Sequence, residues 1–94
     1  MKDAELIARL SEIAVRLEID VRLVPGEFSG GSCLLRGRKV LLLNSSMPAR
    51  RMVEVLCREL AREDLSSVFV LPAVRDLIER RAIPDGRGPA GRRG

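Results

Sequence analysis

The chain has no histidine, tryptophan or tyrosine, and only two phenylalanines, Phe28 and Phe69. Without histidine there is no imidazole to ligate zinc, to shuttle protons near neutral pH or to activate a serine or cysteine nucleophile. Without aromatic residues on the strands there is no stacking platform of the RRM or OB kind. An aromatic share of 2% means that the core has to be aliphatic. The only two cysteines, Cys33 and Cys57, fall in apolar segments. They are expected to be buried free thiols in a reducing compartment rather than a bridged pair. No apolar run approaches the roughly 20 residues of a membrane span. The opening MKDAELIARL is charged, unlike a signal peptide. The expected location is the cytoplasm.

What is present suits one small domain. The chain has 94 residues, of which 46% are hydrophobic, enough for a core of its own. Residues 1–83 are assigned to a single α+β domain. The segment 84–94, PDGRGPAGRRG, has almost no apolar residue and is expected to be a disordered basic tail. It carries three arginines against one aspartate, so it accounts for +2 of the net charge of +4. The remaining +2 is spread over the folded part.

Residues 3–18 place Leu6, Ile7, Leu10, Ile13, Ala14 and Leu17 at helical spacing, with Glu5–Arg9 and Glu12–Arg16 as (i, i+4) pairs. Ile19 to Val24 alternates and predicts a half-buried strand, ended by Pro25-Gly26. Ser32–Arg36 and Lys39–Leu43 are two apolar runs around Gly37-Arg38, which suggests a type II′ hairpin turn. The unbroken run Val40-Leu41-Leu42-Leu43 predicts a strand covered on both faces, or the central one of three. Asn44-Ser45-Ser46 offers an N-cap to a following helix over 48–63. Val68–Leu71 reads as a fourth strand or a buried loop, and Pro72 starts a last helix with Val74, Leu77 and Ile78 inward. The expected architecture is α+β in the order α-β-β-β-α-α: an N-terminal helix, a three-stranded antiparallel meander, a central amphipathic helix and a short C-terminal helix.

The central helix carries the strongest motif. At 100° per residue, Met52, Val53, Leu56, Cys57 and Leu60 share one side, and Arg51, Arg58 and Arg62 cluster within about 40° on the other, with Val55 among them. Arg58-Glu59-Leu60-Ala61-Arg62 has the spacing of H-E-x-x-H with arginine at both histidine positions. In the zinc motif two imidazoles hold the metal and the glutamate activates its water. A guanidinium stays protonated and has no lone pair to give. Arg58 and Arg62 are therefore not metal ligands, and Glu59 has no metal-bound water to act on. No catalytic residue, cofactor or metal is expected.

The strand Arg38–Asn44, the loop after it, and the helix with Val55-Leu56-Cys57-Arg58-Glu59-Leu60-Ala61-Arg62 resemble minimal zincin-type peptidases of the ImmA/IrrE kind. In those, a small sheet precedes and packs on the H-E-L-G-H helix. The resemblance implies a degenerate zincin-like scaffold without the activity. The chain also resembles small bacterial proteins with a G-G-x-C strand and a closing L-P-A-V-R-x-L-I-E helix, here Gly30–Cys33 and Leu71–Glu79.

The functional expectation is a non-catalytic protein-interaction or regulatory module. Its surface would be Arg51, Val55, Arg58, Glu59 and Arg62, facing a protein partner or a second copy of the chain. The alternative is non-specific nucleic-acid binding through the arginine stripe and the basic tail. An enzyme with Glu59 as base and arginines on an anionic substrate is the third reading.

Overall fold

The structure, a computed structural model, describes residues 1–82; the basic tail assigned to 84–94 lies outside them. Helix α1 (Asp3–Arg16) is followed by strands β1 (Asp20–Val24), β2 (Gly31–Leu35) and β3 (Arg38–Asn44), then helices α2 (Ala49–Leu60) and α3 (Pro72–Ala82). This is the expected α+β order. Among the described residues no helix is long and apolar enough to cross a membrane.

Helix α1 buries Leu10, Ile13 and Ala14. Its Glu5–Arg9 and Glu12–Arg16 pairs form at 3.7 and 3.9 Å on the solvent side, where such pairs contribute little. The helix ends in a Schellman turn. The Ile19 N–H donates to the Ala14 carbonyl and the Glu18 N–H to that of Val15, both at 2.9 Å. Glu18 takes the left-handed conformation this requires, with φ of 64°. The turn drops Ile19 onto Ala14 in the core and points the chain straight into β1.

The sheet order is β1-β3-β2, with β3 in the centre. β2 runs antiparallel to β3, as a hairpin must, but β1 runs parallel to β3. The sheet is therefore mixed, and the meander predicted for it is not formed. Two causes stand out. β3 carries the one unbroken run of four apolar residues among the strands, Val40–Leu43, and Val40, Leu41 and Leu43 are all buried there, so the middle of the sheet is where it loses most water-exposed apolar area. The connector 25–30 is also long enough to pass the C-terminal end of β3 instead of folding back along β1. Asn44, 5% exposed, holds it there: its Nδ2 donates to the carbonyls of Gly26 and Phe28, both at 2.7 Å. Its Oδ1 accepts the Ser46 N–H at 2.9 Å. Asn44 thus closes the connector, while the N-cap position of α2 falls to Pro48 with no side-chain cap.

The hairpin turn also sits one residue earlier than predicted. Arg36 and Gly37 are its central pair, with φ of 53° and 78°. Two positive φ values make it a type I′ turn, which matches the twist of the strands and favours Gly at the second position.

One face of the sheet carries the helices. Leu41 and Leu43 of β3 join Ile19, Val53, Leu56, Leu60, Val74 and Ile78 in one cluster, while Val40 stays outside it on the other face. Val68 and Val70 are buried in the loop before α3, and Phe69 between them is 76% exposed; that segment is a loop, not a fourth strand.

Cys57 is buried in the core as expected, but Cys33 is exposed. β2 is an edge strand, so an apolar run there is not a covered one. In the native protein Ellman's reagent is expected to titrate one thiol at once, and the second only as the chain unfolds. Two fast thiols would contradict the placement of Cys57.

Candidate functional site

Helix α2 is anchored by Val53, Val55, Leu56, Cys57 and Leu60, all buried. Its direction follows from two contacts. Lys39, at the start of β3, meets Glu63 just beyond the helix at 2.6 Å. Gly30, at the start of β2, lies against Val55: a Cβ on Gly30 would stand 3.4 Å from Val55 Cγ1 and 2.8 Å from the Leu42 carbonyl oxygen. Hence α2 runs antiparallel to β3 and alongside β2.

This geometry divides the five residues of the predicted surface. Arg51, Arg58 and Arg62 are exposed; Arg51 and Arg58 lie on α2 about 20° apart by helical spacing, whereas the helix ends at Leu60, short of the predicted 63, and Arg62 follows in the turn beyond it. Arg51 is ion-paired to Glu54. Neither Arg58 nor Arg62 has an ion pair among the described residues. Glu59 is half-buried. Val55 does not belong to the surface: it is 3% exposed. It was expected to be the apolar centre of an exposed stripe, yet the backbone of Gly30, having no side chain of its own, comes close enough to cover it. The exposed face is thus a row of cations without an apolar middle.

Its apolar component comes from β2. Leu34 is 72% exposed and Leu35 47%. Side chains alternate along a strand, and Leu34 pairs with Lys39, whose ammonium reaches Glu63 at the end of α2. Leu34 therefore projects on the helix side, toward the end of α2 that bears Arg58 and Arg62. Sequence reasoning missed it by reading Ser32–Arg36 as an interior run. No residue of that run separates an edge strand from a covered one; only the pairing partner does.

After α2 the chain turns at Asp64, whose Oδ1 accepts the Ser66 N–H at 3.0 Å. Hydrogen bonds from Ser66 hold this carboxyl below the usual carboxylate range, which keeps one anion beside the cationic end of the helix. Among the described residues no three His, Cys, Asp or Glu side chains converge where a metal ion could sit.

Searches with this chain found no matching protein-family model, no matching curated protein and no matching solved structure.

Proposed function

We propose that this protein is a non-catalytic interaction module that docks an acidic segment of a partner protein on the outer face of α2, on a degenerate zincin-like scaffold. The observation that carries the reading is the pair Arg58, in the last turn of α2, and Arg62, in the turn just past it: exposed, permanently charged and without an ion pair among the described residues. Planar guanidinium groups are suited to bidentate contacts with carboxylates. The exposed Leu34 nearby adds the apolar contact that an interface core needs. Where the zinc-peptidase helix would hold its ion, this helix places fixed positive charge. The unpaired, exposed thiol of Cys33 suits a reducing compartment, which supports the cytoplasm as its place of action.

The double substitution Arg58→Ser/Arg62→Ser is the test. Both side chains are exposed, so stability is expected to change by no more than about 0.5 kcal/mol, read as an unchanged thermal midpoint. Capture of acidic proteins from lysate by the wild-type chain should be lost in the variant and should weaken with added salt. A variant that captures the same proteins as wild type ends the reading. A gel shift with DNA or RNA that weakens steeply from about 50 to about 200 mM salt would replace it with nucleic-acid binding.

A further inference from the structure

The two edges of the sheet differ in kind. The β1 edge carries Asp20 and Arg22, ion-paired at 2.9 Å, and charge on an edge discourages further pairing. The β2 edge is Gly31-Ser32-Cys33-Leu34-Leu35, with no charge, no proline and no bulge, and Ser32 to Leu35 are all exposed. Among the described residues β2 is hydrogen-bonded to β3 alone. In a two-residue hairpin the closing pair, here Leu35 and Arg38, exchanges hydrogen bonds, and the pairs then alternate. Leu35, Cys33 and Gly31 therefore spend their backbone groups on β3. Ser32 and Leu34 aim theirs outward, at the free edge.

We propose that this edge binds a second copy of the same chain, β2 against β2 in antiparallel register about a two-fold axis through Cys33, to give a continuous six-stranded sheet. The register follows from the strand itself. Only the alignment that sets Cys33 opposite its counterpart pairs all five strand residues and joins both outward-facing residues, Ser32 with Leu34 and Leu34 with Ser32. A shift of two residues either way draws in Gly30 or Arg36, whose φ values of 93° and 53° take them out of the extended ladder.

The side chains complement one another in that register. On the helix face each Leu34 meets a serine. On the other face each Leu35 meets Gly31, where a Cβ would find nothing within 4 Å, so the leucine has room to lie down over the half-buried Leu42 beside it. The ends match in charge: the basic turn with Arg36 and Arg38 comes against the connector that carries Glu27. The inference shares Leu34 with the acidic-partner reading but not its arginines, and its register rests on the β2 backbone; Arg58→Ser/Arg62→Ser should leave the dimer intact.

Sedimentation equilibrium of the full chain under reducing conditions tests it. The expected mass is twice 10.4 kDa at micromolar to millimolar concentration. Leu34→Lys sets two like charges diagonally across the axis, and should weaken association by about tenfold or more with an unchanged circular dichroism spectrum. Cys33→Ser should leave the dimer intact. The register has its own readout: Cys33 faces its counterpart in a non-hydrogen-bonded pair with Cα atoms about 4.5 Å apart, within reach of a disulfide. With diamide as the oxidant, Cys33 should cross-link at least about tenfold faster than a thiol moved to position 32 (Ser32→Cys in the Cys33→Ser chain). A mass of 10.4 kDa at about 0.5 mM, or a dimer untouched by Leu34→Lys, overturns the interface. Equal cross-linking from both positions overturns the register.

Discussion

Gly30→Ala is expected to destabilise the protein by about 3 kcal/mol or more, the largest effect of a methyl added at any of its described glycines. Two terms combine. Gly30 has a φ of 93°, where a side chain is strained in any surroundings. In addition the new Cβ would lie 2.8 Å from the Leu42 carbonyl oxygen. That oxygen is backbone of the central strand and cannot swing away, and Val55 closes the site from the helix side at 3.4 Å. Two other glycines serve as internal controls. Gly31 and Gly37 also have positive φ, 154° and 78°, but a Cβ on either meets nothing within 4 Å. Alanine at those positions should cost only about 1 kcal/mol each. Urea midpoints at constant m-value give the comparison directly. Equal losses at all three positions would mean that the contact between the connector, β3 and α2 is not as described.

Asn44→Ala is expected to cost about 2–4 kcal/mol. The side chain satisfies three backbone groups of a turn it helps to bury: the carbonyls of Gly26 and Phe28 and the N–H of Ser46. Each such group left without a partner costs about 1–3 kcal/mol, moderated where water can reach the connector. Against a total stability of about 5–15 kcal/mol for a domain of this kind, that is a large share. Asn44→Asp distinguishes hydrogen bonding from packing. It preserves the shape, but a carboxylate can only accept and would face two carbonyl oxygens. It should therefore be no more stable than Asn44→Ala near neutral pH. An aspartate variant as stable as wild type would show that the amide donors are not what holds the connector.

These two residues explain why part of the fold was legible and part was not. The periodicity of 3–18, the apolar faces of α2 and α3 and the unbroken run in β3 are properties of single segments, and each predicts its own element. That β3 lies in the centre was readable from Val40–Leu43, because a run of four apolar residues loses most exposed area where neighbouring strands shelter both its flanks. The direction of β1 was not readable. It depends on where a glycine- and proline-rich connector goes, and that is decided by the amide of a residue 14 or more positions further along the chain. Asn44 looked like a helix cap because Asn-Ser-Ser with a proline two residues on is what caps look like. Val55 looked exposed because helical geometry gives the direction of a side chain and not what lies in that direction; its cover is the bare backbone of Gly30. The exposure of Cys33 and Leu34 failed for the converse reason: hydrophobicity marks a residue that gains by burial, and at an edge strand the chain itself supplies no cover. Of the predicted surface, Arg51 and Arg58 lie on the helix as the spacing had them, Arg62 falls in the turn beyond its end, and the apolar element beside them belongs to another segment.

The unequal edges of the sheet also limit how large any assembly can grow. A strand that pairs with its own copy about a two-fold axis uses up the same edge on both molecules, so the contact closes on itself. The remaining outer strands are then two copies of β1, each presenting Asp20 and Arg22. A small sheet that left both margins apolar could add molecules without end and form fibrils. In the proposed dimer the outer margins carry this ion pair, and growth through β2 stops at two.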